Sequence, residues 1–388
     1  MKIFHTADWH LGKLVHSVSM TEDQQYILAQ FMEDVREQKP DAVIIAGDLY
    51  DRSIPPTEAI QLLNTTFQQL INELRIPVLA IAGNHDSATR IHFGSELLKM
   101  SGLHIVGHMT TTIEPIILTD ADGPVHFYLV PFAEPSVVRA LYQDDTITTH
   151  EKAMAKVIET IEQTMDRSVR NVFVGHAFVT KSGEPEENTS DSERKLTVGG
   201  TECIDSHLFE SFHYTALGHL HKAHFVRNET VQYAGSPLKY SESEVDHKKG
   251  YLVVDLAEDG SVTVEKNLLT PKRNMRIVKG TMDDILQHPR SNDYVFVKLQ
   301  DKDYVKAAIE QVRTVYPNVL HVERTAIYEA LENGGQMMER VTMDDSALFE
   351  LFYKEMTGEQ VDSTTKEIFE DVMQQLLDEE RESQEVSK

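Results

Sequence analysis

Five short apolar runs in this chain each end in a polar cluster: "KIFHTAD", "AVIIAGD", "VLAIAGNHD", "NVFVGH" and "YTALGH". Each reads as a buried strand followed by a functional loop. Between the first three lie helix-like segments, from about Thr21 to Gln38 and from about Glu58 to Asn72, the latter behind Thr57 as a prospective N-cap. Strands separated by helices require crossover connections, so the fold class is α/β, a sandwich in which ligands gather beyond the carboxyl ends of the strands. All five polar clusters are then expected along one sheet edge.

The remaining segments suggest how 388 residues divide. The stretch from Lys181 to Gly200 is too polar for a core and reads as a long surface loop. After it come a strand in "VQYAGSPLKYSESE" and a hairpin turning at Asp259 and Gly260, which close a first domain over 1–274. From Met275 the order strand, helix, strand, helix, strand supports a small α/β domain over 275–330. Residues 331–388 read as amphipathic helices. The second carries Ile368, Phe369, Val372, Met373, Leu376 and Leu377 at helical spacing behind a capping box from Thr364 to Glu367. The pattern alone leaves open whether that stripe docks on its own domain or on a partner.

Composition narrows the function classes less than the motifs do. A net charge of −26 opposes nucleic acid at long range, although divalent cations or a basic partner subunit reverse that locally. The single cysteine, Cys203, has no internal disulfide partner and reads as a small structural thiol. No apolar run approaches the roughly 18 residues of a membrane span, and the start lacks the features of a signal peptide, so the expected location is the cytoplasm.

The chemistry lies in the strand-end clusters. Asp8 and His10 stand one residue apart, where a turning backbone can aim both at one ion. Asp48 follows Gly47, which lets the chain bend close to whatever the carboxylate holds. Asn84 and His85 offer a carbonyl oxygen and an imidazole side by side. His176 follows the fourth run, and alternation in His219-Leu220-His221 turns two imidazoles to one side. Two aspartates, one asparagine and four histidines suit two divalent ions sharing one carboxylate, with Mn²⁺, Fe²⁺ or Zn²⁺ favoured over Ca²⁺ or copper(I). Such a pair acidifies water and clamps phosphate oxygens, the chemistry of phosphoester hydrolysis. His85, spare in the ligand count, is placed to act on the transition state or leaving oxygen, with Asp86 to orient it. His5, His104, His108 and His150 lack matched partners and read as structural or exposed.

The blocks D-x-H, GD, GNHD, GH and GHxH resemble the signature of the calcineurin-like metallophosphoesterases. Longer strings, "HTADWHLGK", "AGDLYDRSIPPTEA", "SERKLTVGG", "ALGHLHKAH" and "YAGSPLKYSESE", are similar to the nuclease subunits of recombination complexes within that family. The resemblance implies a metallophosphoesterase sandwich, a DNA-capping domain and C-terminal helices that dock on a coiled coil. It implies one metal held by Asp8, His10, Asp48 and His221 and another by Asp48, Asn84, His176 and His219, with Asp48 bridging and His85 catalytic. Asp51 stands where archaeal relatives carry a histidine, so no role of that histidine carries over. The implied activity is Mn²⁺-dependent 3′ to 5′ exonuclease action on duplex DNA and endonuclease action on single strands and hairpins. The implied assembly is a homodimer within a heterotetramer with an SMC-like coiled-coil ATPase, on nucleoid DNA. Near the motifs, Lys13, Arg52, Arg90, Lys222 and Lys239 are candidates for phosphate contacts, although scattered single charges are commonly solvated surface groups. The alternatives are a phosphoesterase of small phosphomonoesters or cyclic nucleotides, and a scaffold that has lost catalysis.

Overall fold

The computed structural model of the chain describes residues 1–183, 189–193, 202–301, 303, 305–324 and, apart from 351, 355, 356, 359, 367, 370 and 371, residues 349–372. By packing it divides into two units. One comprises 1–278, 285–297 and 307–322, and the other 279–284, 298–306 and 323–388.

The first unit is built on two six-stranded sheets. One runs in the order Val262–Leu268, Gly250–Leu256, Lys2–Thr6, Ala42–Ile45, Val78–Ile81, Leu103–Val106. The other runs His224–Phe225, Val231–Tyr233, Tyr214–Gly218, Arg170–His176, Gly123–Val130, Ile116–Asp120. The five motif-bearing strands therefore belong to two sheets, three to the first and two to the second, and not to one sheet edge as the runs suggest. Within each sheet the motif strands are parallel neighbours, so their loops emerge at the same end.

Alternation explains why the runs are apolar throughout. Ile3, Ile44, Leu79, Ile81, Val172, Val174 and Ala216 point into the core between the sheets. Phe4, Val43, Ile45 and Val78 instead face Phe31 and Val35 of the helix Thr21–Gln38 and Leu63 of the helix Thr57–Gln68. On the other side Phe173 meets Val157 and Ile161 of the helix His150–Thr164. Each strand has both faces covered, and each buried Val, Leu, Ile or Phe side chain contributes about 1.5–3 kcal/mol. The second helix begins at Thr57 itself, with Pro56 in the N-cap position and no side-chain cap. Pro56 has the fixed φ, −68°, that suits a helix entry, and its carbonyl accepts from Ala59 and Ile60. The hairpin turns as expected, with Gly260 at φ +82° and Asp259 accepting from the Ser261 backbone.

A partly buried ion-pair cluster ties the second sheet to the chain start. Asp120 accepts from Arg170 at 2.5 and 3.0 Å and lies 2.9 Å from the Met1 ammonium. The Arg170 hydrogen bonds, aided by the ammonium and opposed by burial, hold the Asp120 carboxyl well below the usual range. A depressed folded value means stabilisation that is complete above the unfolded pKa of about 4 and is lost as pH falls towards the folded value. Asp120→Asn is expected to cost about 2 kcal/mol at pH 7. Urea melts should show that cost shrinking at pH 4 and further at pH 3; a constant cost across the series would contradict the assignment.

Residues Met275–Gly280, Tyr294–Leu299 and Val319–Arg324 form a three-stranded sheet with Tyr294–Leu299 central. In the second unit, Phe349 stacks on Phe369 at 4.0 Å between ring centroids. The amides of Thr364 and Thr365 are capped by Asp362, not by Thr364 as the capping-box pattern suggests. Aspartate is at least as good an N-cap as threonine and stands two residues earlier. Glu367, Met373, Leu376 and Leu377 lie outside the described residues, as do 184–188 and 194–201 of the polar loop. No helix among the described residues is long and apolar enough to cross a membrane.

Candidate metal centre

The loops after the first two strands are stapled together by their backbones. Asp8 donates to Gly47 at 3.1 Å, His10 to Asp48 at 2.9 Å and Leu11 to Leu49 at 2.9 Å. Trp9, between the two candidate ligands, points away into the core and locks the loop. Its indole donates to Thr6 Oγ1 at 2.9 Å, while its carbonyl accepts from Tyr240 at 2.6 Å and from Gln24 at 3.2 Å. Gln24 also donates to the His10 carbonyl at 2.7 Å.

Asp8, His10, Asp48 and His219 all take positive φ, at 54°, 45°, 50° and 106°. Each non-glycine residue held there costs of order 1–3 kcal/mol, a cost that persists where the surrounding structure over-determines the conformation. Gly83 is needed for closeness: a Cβ there would lie 2.2 Å from Asp48 Oδ1.

Both sheets contribute to one cluster. Asp48 Oδ2 lies 3.5 Å from His10 Nε2 and 3.5 Å from His176 Nε2, midway between two imidazoles. Ligand atoms of Asp8, His10 and His221 lie within 4.8 Å of one another, as do those of Asp8, Asp48 and His176. Asn84 Oδ1 is 2.9 Å from His176 Nε2, and the His219 ring centroid is 5.5 Å from that of His176. Asp8 accepts from the His219 amide at 2.9 Å. A third grouping joins His10 and His85 with Asp51, which the sequence reading left without a role.

The lone pairs show that these residues fit cations. His176 Nδ1 faces the Ala46 carbonyl at 2.9 Å and must carry a proton, yet its Nε2 also faces oxygens, those of Asn84 and Asp48. His10 Nε2 and His221 Nε2 meet at 3.0 Å, with His221 Nδ1 facing Glu244 at 3.1 Å. The amide nitrogen of Asn84 has no partner among the described atoms, which suits a side chain oriented through its oxygen. Inward-facing lone pairs need a shared proton or a bound cation, and oxygen with imidazole is the donor set of borderline divalent ions.

The groups of the cluster ionise unequally. Burial opposes charge at Asp48, but His176 and His10 outweigh it and hold the carboxyl well below its usual range. In the same exchange His176 is raised to about 9, its burial outweighed by Asp48 and Asp8. His10 and His219 are lowered, first by burial. These neutral rings present lone pairs. Asp8 is raised to about 7 by burial, against the pull of His176 and His221.

His85 sits at the rim, its ring 4.7 Å and edge-on from that of His10. Its Nδ1 donates to the Asp51 carbonyl at 2.8 Å, and its amide donates to Asp48 Oδ1 at 2.9 Å. Asp86 does not orient it. That carboxylate instead accepts from the amides of Gly83, Leu49 and Tyr50 at 2.9–3.0 Å, joining the second and third loops. The bonds to Leu49 and Tyr50 span 37 and 36 residues, beyond the reach of local pattern.

Of the basic candidates, Lys13 donates to Asp51 at 2.8 Å, and Lys239 to Asn274 and to the carbonyls of Val245 and Met275. Their charges are engaged internally, and the partners Asp51, Asn274 and Met275 are 35 or more residues away along the chain, beyond local pattern. Arg52, Arg90 and Lys222 are exposed. His5 is structural, bonded to Tyr214 at 2.8 Å, and burial lowers it to about 3. His104 is half-buried, His108 exposed, and His150 buried against Phe132.

Sequence comparison agrees with this architecture. The calcineurin-like phosphoesterase model matches residues 1–223, and the type 5 capsule protein repressor C-terminal domain model matches residues 271–357. A relative from Staphylococcus epidermidis, the D subunit of the nuclease SbcCD, is 35% identical over 384 residues, covering 98% of this chain and 100% of its own length. Two solved structures share 12% identity: TT1561 of Thermus thermophilus, with a TM-score of 0.38 over 68% of this chain and 98% of its own, and a dimetal phosphatase from Danio rerio, with 0.39 over 69% and 98%. With a sandwich whose strand ends converge on carboxylates and imidazoles suited to divalent ions, the chain belongs to the calcineurin-like phosphoesterases and, within them, to the SbcD family.

Proposed function

We propose that this chain is a Mn²⁺-dependent DNA nuclease, a 3′ to 5′ exonuclease on duplex ends and an endonuclease on single strands and hairpins, acting in DNA repair, recombination and replication. The observation that carries the reading is the position of Asp48 Oδ2, 3.5 Å from imidazole nitrogens contributed by both sheets. Asp8, His10, Asp48 and His221 would hold one ion and Asp48, Asn84, His176 and His219 the other. When bound, such a pair supplies Lewis acidity at phosphate oxygens and lowers the pKa of water towards neutrality. His85 faces the substrate with Nε2, where it hydrogen-bonds a phosphate oxygen or passes a proton to the departing 3′ or 5′ oxygen.

The partner is proposed to be an SbcC-type ATPase, SMC-like with a coiled coil, in a heterotetramer around a homodimer of this chain on nucleoid DNA in the cytoplasm. Residues 275–330 would cap the DNA and 331–388 dock on the coiled coil. Exposed Phe352, Ile368 and Val372 support the docking role. Phe93, Leu97 and Met100 are 86%, 82% and 96% exposed and support self-association. Lys13, Arg52, Arg90, Lys222 and Lys239 are the proposed phosphate contacts.

The test is turnover of end-labelled duplex and hairpin DNA with Mn²⁺, with and without the ATPase subunit, beside a small nitrophenyl diester. Cleavage of DNA that rises with the ATPase supports the proposal. Turnover of the diester alone assigns the chain to small phosphoesters, and turnover of neither, with no metal uptake, assigns it a scaffold role. Chelation should abolish cleavage, and Mn²⁺ at 100 times its Kd should raise stability by about 2.7 kcal/mol per independent site. A melting curve unmoved by Mn²⁺ would contradict metal binding.

A further inference from the structure

His221 is held through both its ring and its main chain. Its Nδ1 faces Ser192 Oγ at 2.7 Å and Glu244 Oε1 at 3.1 Å, its amide donates to Glu193 at 2.6 Å, and its carbonyl accepts from Lys249 at 2.9 Å. Lys249 also donates to Glu244 Oε2 at 2.5 Å and to Ser236 at 2.8 Å. Ser192, Ser190 and Ser241 all donate to Glu244 Oε1. Glu244 is 0% exposed and Lys249 8%. A glutamate, a lysine and three serine hydroxyls thus lie behind one imidazole.

From this arrangement we propose that Glu244, paired with Lys249 and bridged by Ser192, is a positioning residue for metal binding, fixing His221 as the Nδ1–H tautomer with Nε2 presented to the ion. The proposal rests on the reading of His221 as a metal ligand.

The physical logic is that of the carboxylate–histidine pairs behind many metal sites, where the second nitrogen donates to a carboxylate that sets ring orientation and basicity. A buried glutamate alone is costly, but Lys249 supplies the opposite charge at Oε2 and the serine hydroxyls donate to Oε1. His10, the facing imidazole, lacks an equivalent hold: its Nδ1 is 3.6 Å from Asp51 Oδ1, too far for a hydrogen bond, and Lys13 draws that same oxygen. The two rings thus differ in their second nitrogen: that of His221 is bonded to a carboxylate network, while that of His10, though buried, has no hydrogen-bond partner among the described residues.

The test compares calorimetric Mn²⁺ titrations and melting of the metal-free protein for wild type, Glu244→Leu/Lys249→Met, Glu244→Gln/Lys249→Met and Ser192→Ala. The double variants remove both charges together, so neither leaves an unpaired buried ion. The Leu/Met pair is expected to lose about 10–100-fold in affinity at one of two Mn²⁺ sites while the other is unchanged. The Gln/Met pair keeps an acceptor for Nδ1–H and should recover most of that loss. Ser192→Ala, a loop substitution that leaves the charge pair intact, should weaken the same site by a smaller factor and decides the matter if the double variants do not fold. Unchanged affinity at both sites, or equal losses at both in step with the metal-free melting temperature, would overturn the positioning role. Wild type binding no Mn²⁺ would instead overturn the ligand reading on which it rests.

Discussion

Asp48→Ala is expected to lower DNA hydrolysis by about 10³-fold or more, the equivalent of several kcal/mol of transition-state stabilisation at about 1.36 kcal/mol per factor of ten. The magnitude follows from position. Asp48 Oδ2 is equidistant from His10 and His176, and its Oδ1 accepts the His85 amide. Its removal therefore strikes both proposed ion sites and the anchor of the rim histidine together. Asp48→Asn separates these functions, because the amide oxygen still accepts from His85 while the bridging charge is gone. Both variants should show the wild-type circular dichroism spectrum and take up less Mn²⁺. Full activity in Asp48→Ala would remove the bridging carboxylate from the account.

The second large effect is at His85. His85→Gln should reduce turnover by about 10²–10⁴-fold, the range for loss of a general acid or base, and leave Mn²⁺ affinity within about twofold, well inside the tenfold that about 1.4 kcal/mol represents. The bond from residue 85 to Asp48 is made by the main-chain amide, so the substitution leaves it in place. The side chain's own bond is to the Asp51 carbonyl, which is no part of the proposed ligand set. Single-turnover cleavage measured beside a metal titration separates the two effects. A parallel fall in metal affinity would mean that His85 is itself a ligand, as its grouping with His10 and Asp51 would then allow.

The sequence is informative here where a side chain's task is local. Ile3 and Phe4, Val43 and Ile44, and Leu79 and Ala80 lie on opposite faces of their strands, and alternation in a buried strand makes that readable. The strand-end positions of Asp8, Asp48, His176 and His219 are readable for the same reason: in parallel α/β folds, side chains beyond the carboxyl ends meet. Assignment of strands to sheets was not readable. Both faces of every motif strand are covered, so the apolar run looks the same in either sheet.

Partners chosen across long sequence separations were equally hidden. Asp86 is adjacent to His85 and so suggests itself as its anchor, but its bonds go to amides near residue 49. Lys13 and Lys239 look like exposed cations until their acceptors are seen. Glu244 and Lys249 sit in a stretch, "SESEVDHKKG", whose alternation of charge resembles an ordinary solvated loop. The capping errors are smaller and have a common cause. At both helix starts, a residue one or two positions before the expected threonine had the better backbone or side chain for the role.

Seven side chains from both sheets are proposed to hold two divalent ions that share Asp48. Anomalous diffraction from crystals of the protein equilibrated with Mn²⁺ measures this directly. Two peaks about 3.5–4 Å apart on either side of the Asp48 carboxylate, one beside His10 and His221 and the other beside Asn84 and His176, are the predicted result. A single peak, or peaks that leave Asp48 uncoordinated, would contradict it.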